Sequence, residues 1–395
     1  MPDNDAMQAY QQNYAARMAL IPGPTTQTVR RLQQIFSQTT TSYVAGQQQV
    51  MTITPAPVGI ITRFIIRVTA TMGNSGGADT QTRVQNGGAA ILSNIQYTDT
   101  SNITRINAPG WYLNQLWMQR RRRKATGAVT MDNSSLDGIG ANYTAGINAV
   151  PATLTAAPSA ANFVQFYDVP LAYAGNDLRG AVLAALINAT QSLSVTINPN
   201  FFVKSTDTVN LAEAGYQSDS ATLLGQISSL TVTVYQEYID QFGTLPLPAI
   251  DLATQYQLQV TGGYVPVANT DLVIPYPNFK NFMSTTFRYN NNGTFNAGSD
   301  INYASIRAAN QSDLVKVDPY TLTLLNRERV GDDLPAGYYI FDHREKPIFT
   351  NTFGNMSLVV QASSVGGANS SISVGYESLA LQSQIAVAGQ VTSGG

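Results

Sequence analysis

Short runs of alternating apolar and polar residues recur along most of the chain. The longest run covers residues 60–72, and another covers 227–239. Alternation with a period of two is typical of strands that bury one face. Further runs of this kind predict strands at residues 89–97, 162–169, 192–197, 271–274, 282–289, 338–342, 356–361 and 372–381. The pattern therefore predicts an all-β fold of sandwich type.

Apolar residues at spacings of three and four predict helices in a few places. Residues 6–20 carry such a stripe, and the same spacing recurs after Pro24 at Val29, Leu32, Ile35 and Phe36. We therefore predict an N-terminal helical arm, and short loop helices at residues 111–117 and 178–186.

The arm has two interpretations. A helical hairpin could pack on its own domain, or a basic amphipathic element could lie toward a membrane or a neighbouring subunit. Its candidate contact cations are Arg17, Arg30 and Arg31. Three cations are few for a membrane-binding helix, which favours packing on its own domain.

A stiff segment near the middle of the chain predicts a domain junction. Gly243, Pro246 and Pro248 follow the strand at residues 227–239. Proline has no N–H for a strand ladder and glycine weakens a strand, so the sheet cannot continue there. A length of 395 residues also favours two domains. We interpret these three residues as an inter-domain connector.

The composition suggests a protein that assembles with neighbouring molecules, and it excludes several classes of chemical site. Only 12% of the residues are charged, so Thr, Ser, Asn and Gln must form most of the polar surface, which suits a protein packed against neighbours. The net charge of −2 gives no global attraction to nucleic acid. The chain has no cysteine and one histidine, which excludes disulfides, thiolate chemistry and multi-histidine zinc sites. We recognise no spanning helix and no signal peptide, and we expect synthesis in the cytoplasm.

One basic run stands out in this weakly charged chain. It consists of Arg120, Arg121, Arg122, Arg123 and Lys124. Cations at a helix C-terminus are favoured by the helix dipole and usually form a solvated face. Alternatively, five adjacent cations could bind the phosphates of nucleic acid or lipid. The run is a candidate basic contact patch, and it leaves open a role in packaging nucleic acid.

Catalytic signals are weak. His343 lies between carboxylates in the segment DHRE and could act as a general base, but such a charged turn before Pro347 is more often structural. No phosphate-binding glycine loop is present. An alternative function is a carbohydrate-binding or carbohydrate-cleaving sandwich of a phage spike, in which Tyr338 and Tyr339 would stack on sugars.

The two halves of the chain contain a short internal similarity. VTVYQE (232–237) closes the first half and ISVGYE (372–377) closes the second. So short a match is weak support for duplication when taken alone.

Several segments resemble the major capsid proteins of tectiviruses, which are tail-less icosahedral phages with a membrane beneath the shell. The resemblance spans most of residues 169–377. It is carried by VPLAYAGNDLRGAVLA (169–184), VYQEYIDQF (234–242), LPAIDLATQY (247–256), GTFNAGSDINYASIRAANQSD (293–313), VDPYTL (317–322) and LPAGYYIFDHREKPIFT (334–350).

This resemblance implies a double jelly-roll, or double β-barrel: two consecutive eight-stranded jelly-rolls with an N-terminal helical arm and short helices in loops. We expect the arm at 1–46, the first jelly-roll at 47–243, the second at 244–385 and a flexible C-terminal tail at 386–395.

The implied function is that of a major capsid protein without enzymatic activity. Its homotrimers would have a pseudo-hexagonal outline and tile the icosahedral shell of a membrane-containing double-stranded DNA phage. The implied partners are neighbouring capsid trimers, vertex (penton) proteins and the underlying viral membrane, with no specific nucleic acid and no cofactor. The implied location is the virion, after synthesis in the host cytoplasm.

Overall fold

The computed structural model confirms the predicted β-structure. It describes residues 28–40, 43–74, 79–84, 87–121, 153–154, 161–174, 177–184, 190–221, 223, 225–241, 254–296, 298–309, 313–330, 334–350 and 355–381. Within them the chain forms 22 strands and two α-helices. The helices are α1 (Gly110–Arg121) and α2 (Pro319–Val330).

The strands vary in length from two residues to seventeen. Those of the first half are β1 (Thr28–Thr40), β2 (Gln49–Ile53), β3 (Ile60–Asn74), β4 (Gln81–Arg83), β5 (Leu92–Thr98), β6 (Thr104–Ala108), β7 (Thr153–Leu154), β8 (Ala161–Pro170), β9 (Val182–Leu183), β10 (Ser192–Ile197), β11 (Phe202–Val203), β12 (Tyr216–Ser218) and β13 (Gly225–Gln241). Those of the second half are β14 (Thr254–Tyr264), β15 (Asp271–Pro275), β16 (Lys280–Asn290), β17 (Ile301–Arg307), β18 (Asp313–Val317), β19 (Tyr338–Asp342), β20 (Ile348–Phe349), β21 (Ser357–Ala362) and β22 (Ser371–Leu381).

The strands form four sheets. Sheet 1 has the order β1-β13-β3-β8, with β9 beside β3, and sheet 2 has the order β19-β16-β22-β14-β6-β5-β10-β2, with β20 beside β16. Sheet 3 is the small sheet β11-β12-β4-β7, and sheet 4 has the order β15-β21-β17-β18. Sheet 2 is shared, because its strands come from both halves of the chain.

Each half of the chain builds one sandwich with its own core. In the first sandwich, Phe64, Ile66 and Val68 of β3 point inward and are fully buried, as their alternation predicts. The second sandwich has a separate core to which Phe287 of β16 and Val374 of β22 contribute.

The two sandwiches have the same strand order. The order β1-β13-β3-β8 in sheet 1 corresponds to β14-β22-β16-β19 in sheet 2, and β2-β10-β5-β6 in sheet 2 corresponds to β15-β21-β17-β18 in sheet 4. The helices α1 and α2 also correspond, since they follow β6 and β18. The short similarity between residues 232–237 and 372–377 falls on the corresponding strands β13 and β22.

The helix predicted at Val29, Leu32, Ile35 and Phe36 is wrong. These residues lie in β1, which pairs with β13 along its whole length. The register shifts between Gln34 and Phe36, so a β-bulge brings Phe36 to the core side and interrupts the alternation. The resulting spacing imitates that of a helix. The first helix of the predicted arm lies outside the described residues.

Two further predictions need correction. The segment predicted as a helix at 178–186 contains the strand β9 in its described part. The strand predicted at 89–97 begins later, since Gly87–Ile91 is a 3-10 helix before β5.

The helix α2 was not predicted, although its start carries a capping signal. The carboxylate of Asp318 accepts hydrogen bonds from the backbone N–H groups of Tyr320 and Thr321, and Pro319 occupies the first turn.

Candidate functional site at the junction of the two sandwiches

The two sandwiches are joined by strand pairing within sheet 2. β6 and β14 run parallel, with Ile106 opposite Leu258 and Asn107 opposite Gln259. A parallel pair needs a long crossover connection, and here the chain from α1 to β13, which completes the first sandwich, lies between the two strands. The sandwiches are thus held side by side by a continuous sheet.

Helix α1 covers the second sandwich beside this pairing. Its buried residues Leu113 and Leu116 belong to the first core. Tyr112 packs against β22 of the second sandwich, where a Cβ atom added to Gly375 would lie 2.2 Å from the Tyr112 ring. Only glycine leaves room for this ring. The helix therefore belongs to one sandwich and closes over the other.

A buried arginine holds the two sandwiches together at the start of this helix. The guanidinium carbon of Arg288, on β16, lies 4.3 Å from the centre of the Trp111 ring. The same guanidinium donates to the carbonyl of Ala212 at 3.1 Å and forms an ion pair with Glu213, both in the first sandwich. Burial is the largest influence and would lower the pKa of Arg288, but the combined charges and hydrogen bonds of Glu213 and Tyr338 raise this pKa above its ordinary value. Arg288 is therefore charged, and it binds the first sandwich through cation–π and ionic contacts.

A buried carboxylate forms a second cluster farther along the helix. Glu377 on β22 has no exposed surface, and it accepts hydrogen bonds from the hydroxyls of Tyr256 and Ser284, each at 2.8 Å. Arg344 pairs with this carboxylate at 2.6 Å, and its other terminal nitrogen lies 3.5 Å from the carbonyl of Gln119 in α1. The cluster joins β14, β16 and β22 to the helix of the first sandwich.

The corresponding glutamate of the first sandwich lies at the surface. Glu237 on β13 accepts hydrogen bonds from Thr62 at 3.0 Å and from Arg63 at 2.8 Å. Burial acts to raise the pKa of Glu237, but the hydrogen bond and charge of Arg63 lower it below its usual range. Its side chain is 14% exposed, and no helix of the described residues covers this face. The same acidic position is thus covered in one sandwich and open in the other.

The structure describes only part of the predicted site residues. Arg30 and Arg31 lie in β1 and pair with Glu237 at 3.5 Å and with Asp240 at 3.2 Å. The backbones of Arg120 and Arg121 end α1. The others lie outside the described residues: Arg17, Arg122, Arg123, Lys124, Gly243, Pro246 and Pro248.

The residues that form the junction were not singled out from the sequence. Arg288 and Glu377 do carry a signal, since each is a charged residue in an apolar strand of a weakly charged chain. A charge in such a position is seldom buried unless it is paired. The signal marks both positions without indicating their partners.

The two tyrosines considered for the alternative carbohydrate-binding function are buried. Tyr338 and Tyr339, proposed as sugar-stacking residues, lie in β19 and are 3% and 2% exposed, so their rings cannot receive a sugar. Among the described residues, no group of three or more His, Cys, Asp or Glu could hold a metal ion. No helix in the described part of the chain is long and apolar enough to cross a membrane.

We expect His343 to titrate far below the usual range. Burial lowers the pKa of His343 to about 4, and its ring stacks on Phe341 with centres 6.3 Å apart. It is the only histidine of the chain, so one NMR signal reports its titration. A midpoint near the value of a free histidine, about 6.5, would contradict the structure.

The low pKa of His343 also predicts acid sensitivity. The unfolded chain takes up this proton near pH 6.5 and the folded protein only near pH 4, so stability falls as the pH drops through this window. A His343→Phe variant should lose less stability than the wild type over the same range in urea unfolding.

Two sandwiches of the same strand order, placed side by side and each with a helix at the same place between its strands, define a double jelly-roll protein. The chain belongs to the P3 major capsid protein family. Its residues 6–242 match the family model described as P3 major capsid protein N-terminal, and residues 253–393 match the model described as P3 major capsid protein C-terminal. The chain is thus a major capsid protein and a structural component of the virion.

Known relatives agree in sequence and in fold. The chain is 33% identical over 392 residues to the major capsid protein P3 of Enterobacteria phage PRD1, covering 98% of this chain and 95% of that protein. The crystal structure of the STIV major capsid protein is similar with a TM-score of 0.61 and 11% identity, covering 89% of this chain and 97% of that one. PBCV-1 VP54 is similar with a TM-score of 0.57 and 13% identity, covering 90% and 94%. These two likenesses concern the fold alone.

Proposed function

We propose that three copies of this protein form a ring of six jelly-rolls with a pseudo-hexagonal outline. These trimers tile the icosahedral shell of a membrane-containing double-stranded DNA phage. The observation that carries the proposal is the side-by-side placement of two jelly-rolls of the same strand order, joined through β6 and β14. A chain that already repeats one unit presents nearly equivalent sides, so a closed ring of three chains approaches sixfold symmetry.

Low charge supports assembly through extensive contacts with other copies. Unpaired charges are expensive to bury at an interface, and only 12% of the residues are charged. The junction clusters around Arg288 and Glu377 use their charges in pairs. The protein acts by shape and rigidity, and we assign it no enzymatic activity.

We assign the other proposed contacts in the shell to segments that the sequence analysis singled out. Neighbouring trimers, vertex proteins and the viral membrane are the proposed partners. We assign the arm with Arg17, Arg30 and Arg31 to the membrane or to a neighbouring subunit, and the basic run at residues 120–124 to a contact patch. Gly243, Pro246 and Pro248 form the proposed inter-domain connector. The protein is made in the host cytoplasm before it enters the shell.

Native mass spectrometry of the purified protein tests this proposal. The expected spectrum is dominated by a species with the mass of three chains, which persists on dilution because a capsid building block is preformed. A protein that remains monomeric at high concentration would overturn the proposed trimer.

A further inference from the structure

Among the edge strands of the four described sheets, two have counterparts in the other jelly-roll that are paired on both sides. β1 ends sheet 1, and β18 ends sheet 4. Their counterparts in the other jelly-roll, β14 and β6, are paired with each other at the junction. Open edges present unpaired N–H and C=O groups that favour pairing with another chain. The molecule thus contains one contact between jelly-rolls, formed by β6 and β14. It also carries, on separate edges, the two strands that correspond to this pair, β18 and β1.

The strand registers show which residues correspond on the β1 side. Leu32 lies opposite Glu237, and Leu258 lies opposite Glu377. Next to each glutamate, the pairing of β13 with β3 and of β22 with β16 shifts by one residue. The segments VTVYQE and ISVGYE end at these two glutamates, so sequence and register give the same correspondence. Leu32 is therefore the counterpart of Leu258.

The same comparison relates the β18 side to the β6 side. Ile106 pairs with Tyr97 and Val315 with Ile306, and directly after each pair the register shifts by one residue. Val315 is thus the counterpart of Ile106, the residue opposite Leu258 in the internal contact. The helices begin two residues after β6 and β18 end, which makes their second residues, Trp111 and Tyr320, counterparts as well.

Corresponding residues differ sharply in exposure. Leu258 has no exposed surface, whereas Leu32 is 56% exposed. Trp111 is 4% exposed, whereas Tyr320 is 66% exposed. Large apolar side chains so exposed at corresponding positions of two surfaces mark a site of interaction. The internal contact shows what covers them, because their counterparts are covered by the adjoining jelly-roll.

The arginine contact of the junction also has an incomplete counterpart. Arg288 lies opposite Ser373 and Arg67 lies opposite Thr233, which are corresponding positions. Arg288 is covered by the Trp111 ring at 4.3 Å. The Nε atom of Arg67 is buried without a hydrogen-bond partner among the described residues. A ring at the position of Tyr320 on a neighbour would cover Arg67 by the same cation–π contact.

At a further pair of corresponding positions, the large and the small side chain have changed places between helix and strand. In the junction, the large Tyr112 lies over Gly375. Their counterparts are Thr321 on α2 and Tyr235 on β13, so the helix carries the small residue and the strand the large one. Such an exchange preserves the total volume of the contact, which packing requires.

We infer that a second copy of this chain docks on the outer face of sheet 1 in the way that the first jelly-roll docks on the second. β18 of one copy lies parallel to β1 of the next, with Val315 opposite Leu32, and Tyr320 of α2 covers Arg67. The inference rests on the proposed trimer and specifies its interface. Because the two docking surfaces are different, the contact is head-to-tail, and three such contacts close a ring.

Cysteine cross-linking tests this interface, since the chain has no cysteine of its own. A Leu32→Cys/Val315→Cys variant treated with a short bismaleimide should yield covalent dimers and trimers on denaturing gels. Each single variant should run as single chains on these gels, because the two surfaces are different and one cysteine then has no cysteine opposite it. Leu32 is 56% exposed and Val315 lies only at the margin of the second core, so the substitutions disturb the cores little.

The matched control pairs Leu32→Cys with Val273→Cys. Val273 is 54% exposed on β15, at the opposite edge of sheet 4, and it should give little cross-linking. Trimers in native mass spectrometry that cross-link equally well through Val273, or that do not cross-link through Val315, would overturn this interface and leave the trimer standing. An absence of trimers would overturn both proposals.

Discussion

Arg344→Met lowers the free energy of unfolding by about 3–5 kcal/mol, the usual cost of removing one partner from a buried ion pair. Glu377 has no exposed surface, and Arg344 is its cationic partner at 2.6 Å. The hydroxyls of Tyr256 and Ser284 remain as donors, but they carry no charge to balance the buried carboxylate. Urea unfolding followed by circular dichroism measures the loss.

Two further variants isolate this effect. Adding Glu377→Gln to Arg344→Met should restore part of the stability, because the buried group is then neutral. Arg31→Met is the matched control: Arg31 and Asp240 pair at 3.2 Å with side chains 51% and 31% exposed, and such exposed pairs contribute only about 0–1 kcal/mol. Equal losses for Arg344→Met and Arg31→Met would contradict the buried cluster.

Gly375→Ala destabilises the junction by about 1–3 kcal/mol through overpacking. The added methyl group would lie 2.2 Å from the buried Tyr112 ring. Gly375 is not among the residues with positive φ, so its backbone accepts alanine and the cost is steric alone. Thermal unfolding measures the loss, and the change should be smaller in a Tyr112→Ala background, where the ring is absent.

The exposed Gly262 on β14 serves as the control. An added Cβ atom there would lie 3.0 Å from the Ser373 hydroxyl, which can rotate away. Surface changes of this kind usually alter stability by less than about 0.5 kcal/mol. If Gly375→Ala were as mild as Gly262→Ala, α1 would not lie against β22 as described.

Strands that bury one face were predictable from the sequence. The alternation at residues 60–72 locates β3, because inward residues meet a core and outward residues are partly exposed. The run at 338–342 locates β19, although both faces of that strand are buried. β1 was missed because a bulge at Gln34 interrupts its alternation and both of its faces are largely exposed. Local spacing then imitates a helix, although pairing with β13 decides the structure.

The junction could not be predicted, because it depends on the relative placement of strands far apart in the sequence. Arg288 and Glu213 are separated by 75 residues, and Arg344 and Gln119 by 225. The similarity between VTVYQE and ISVGYE was visible, but its significance lies in the registers, which align Glu237 with Glu377. A weak sequence repeat thereby becomes a residue-by-residue correspondence between the two jelly-rolls.

A cryo-electron microscopy map of the purified protein tests the central claim most directly. The account predicts a particle of three chains in which six jelly-rolls form a near-hexagonal ring and α2 of each chain lies on sheet 1 of the next. Separate two-lobed monomers, or a trimer in which Leu32 and Tyr320 face solvent, would contradict it.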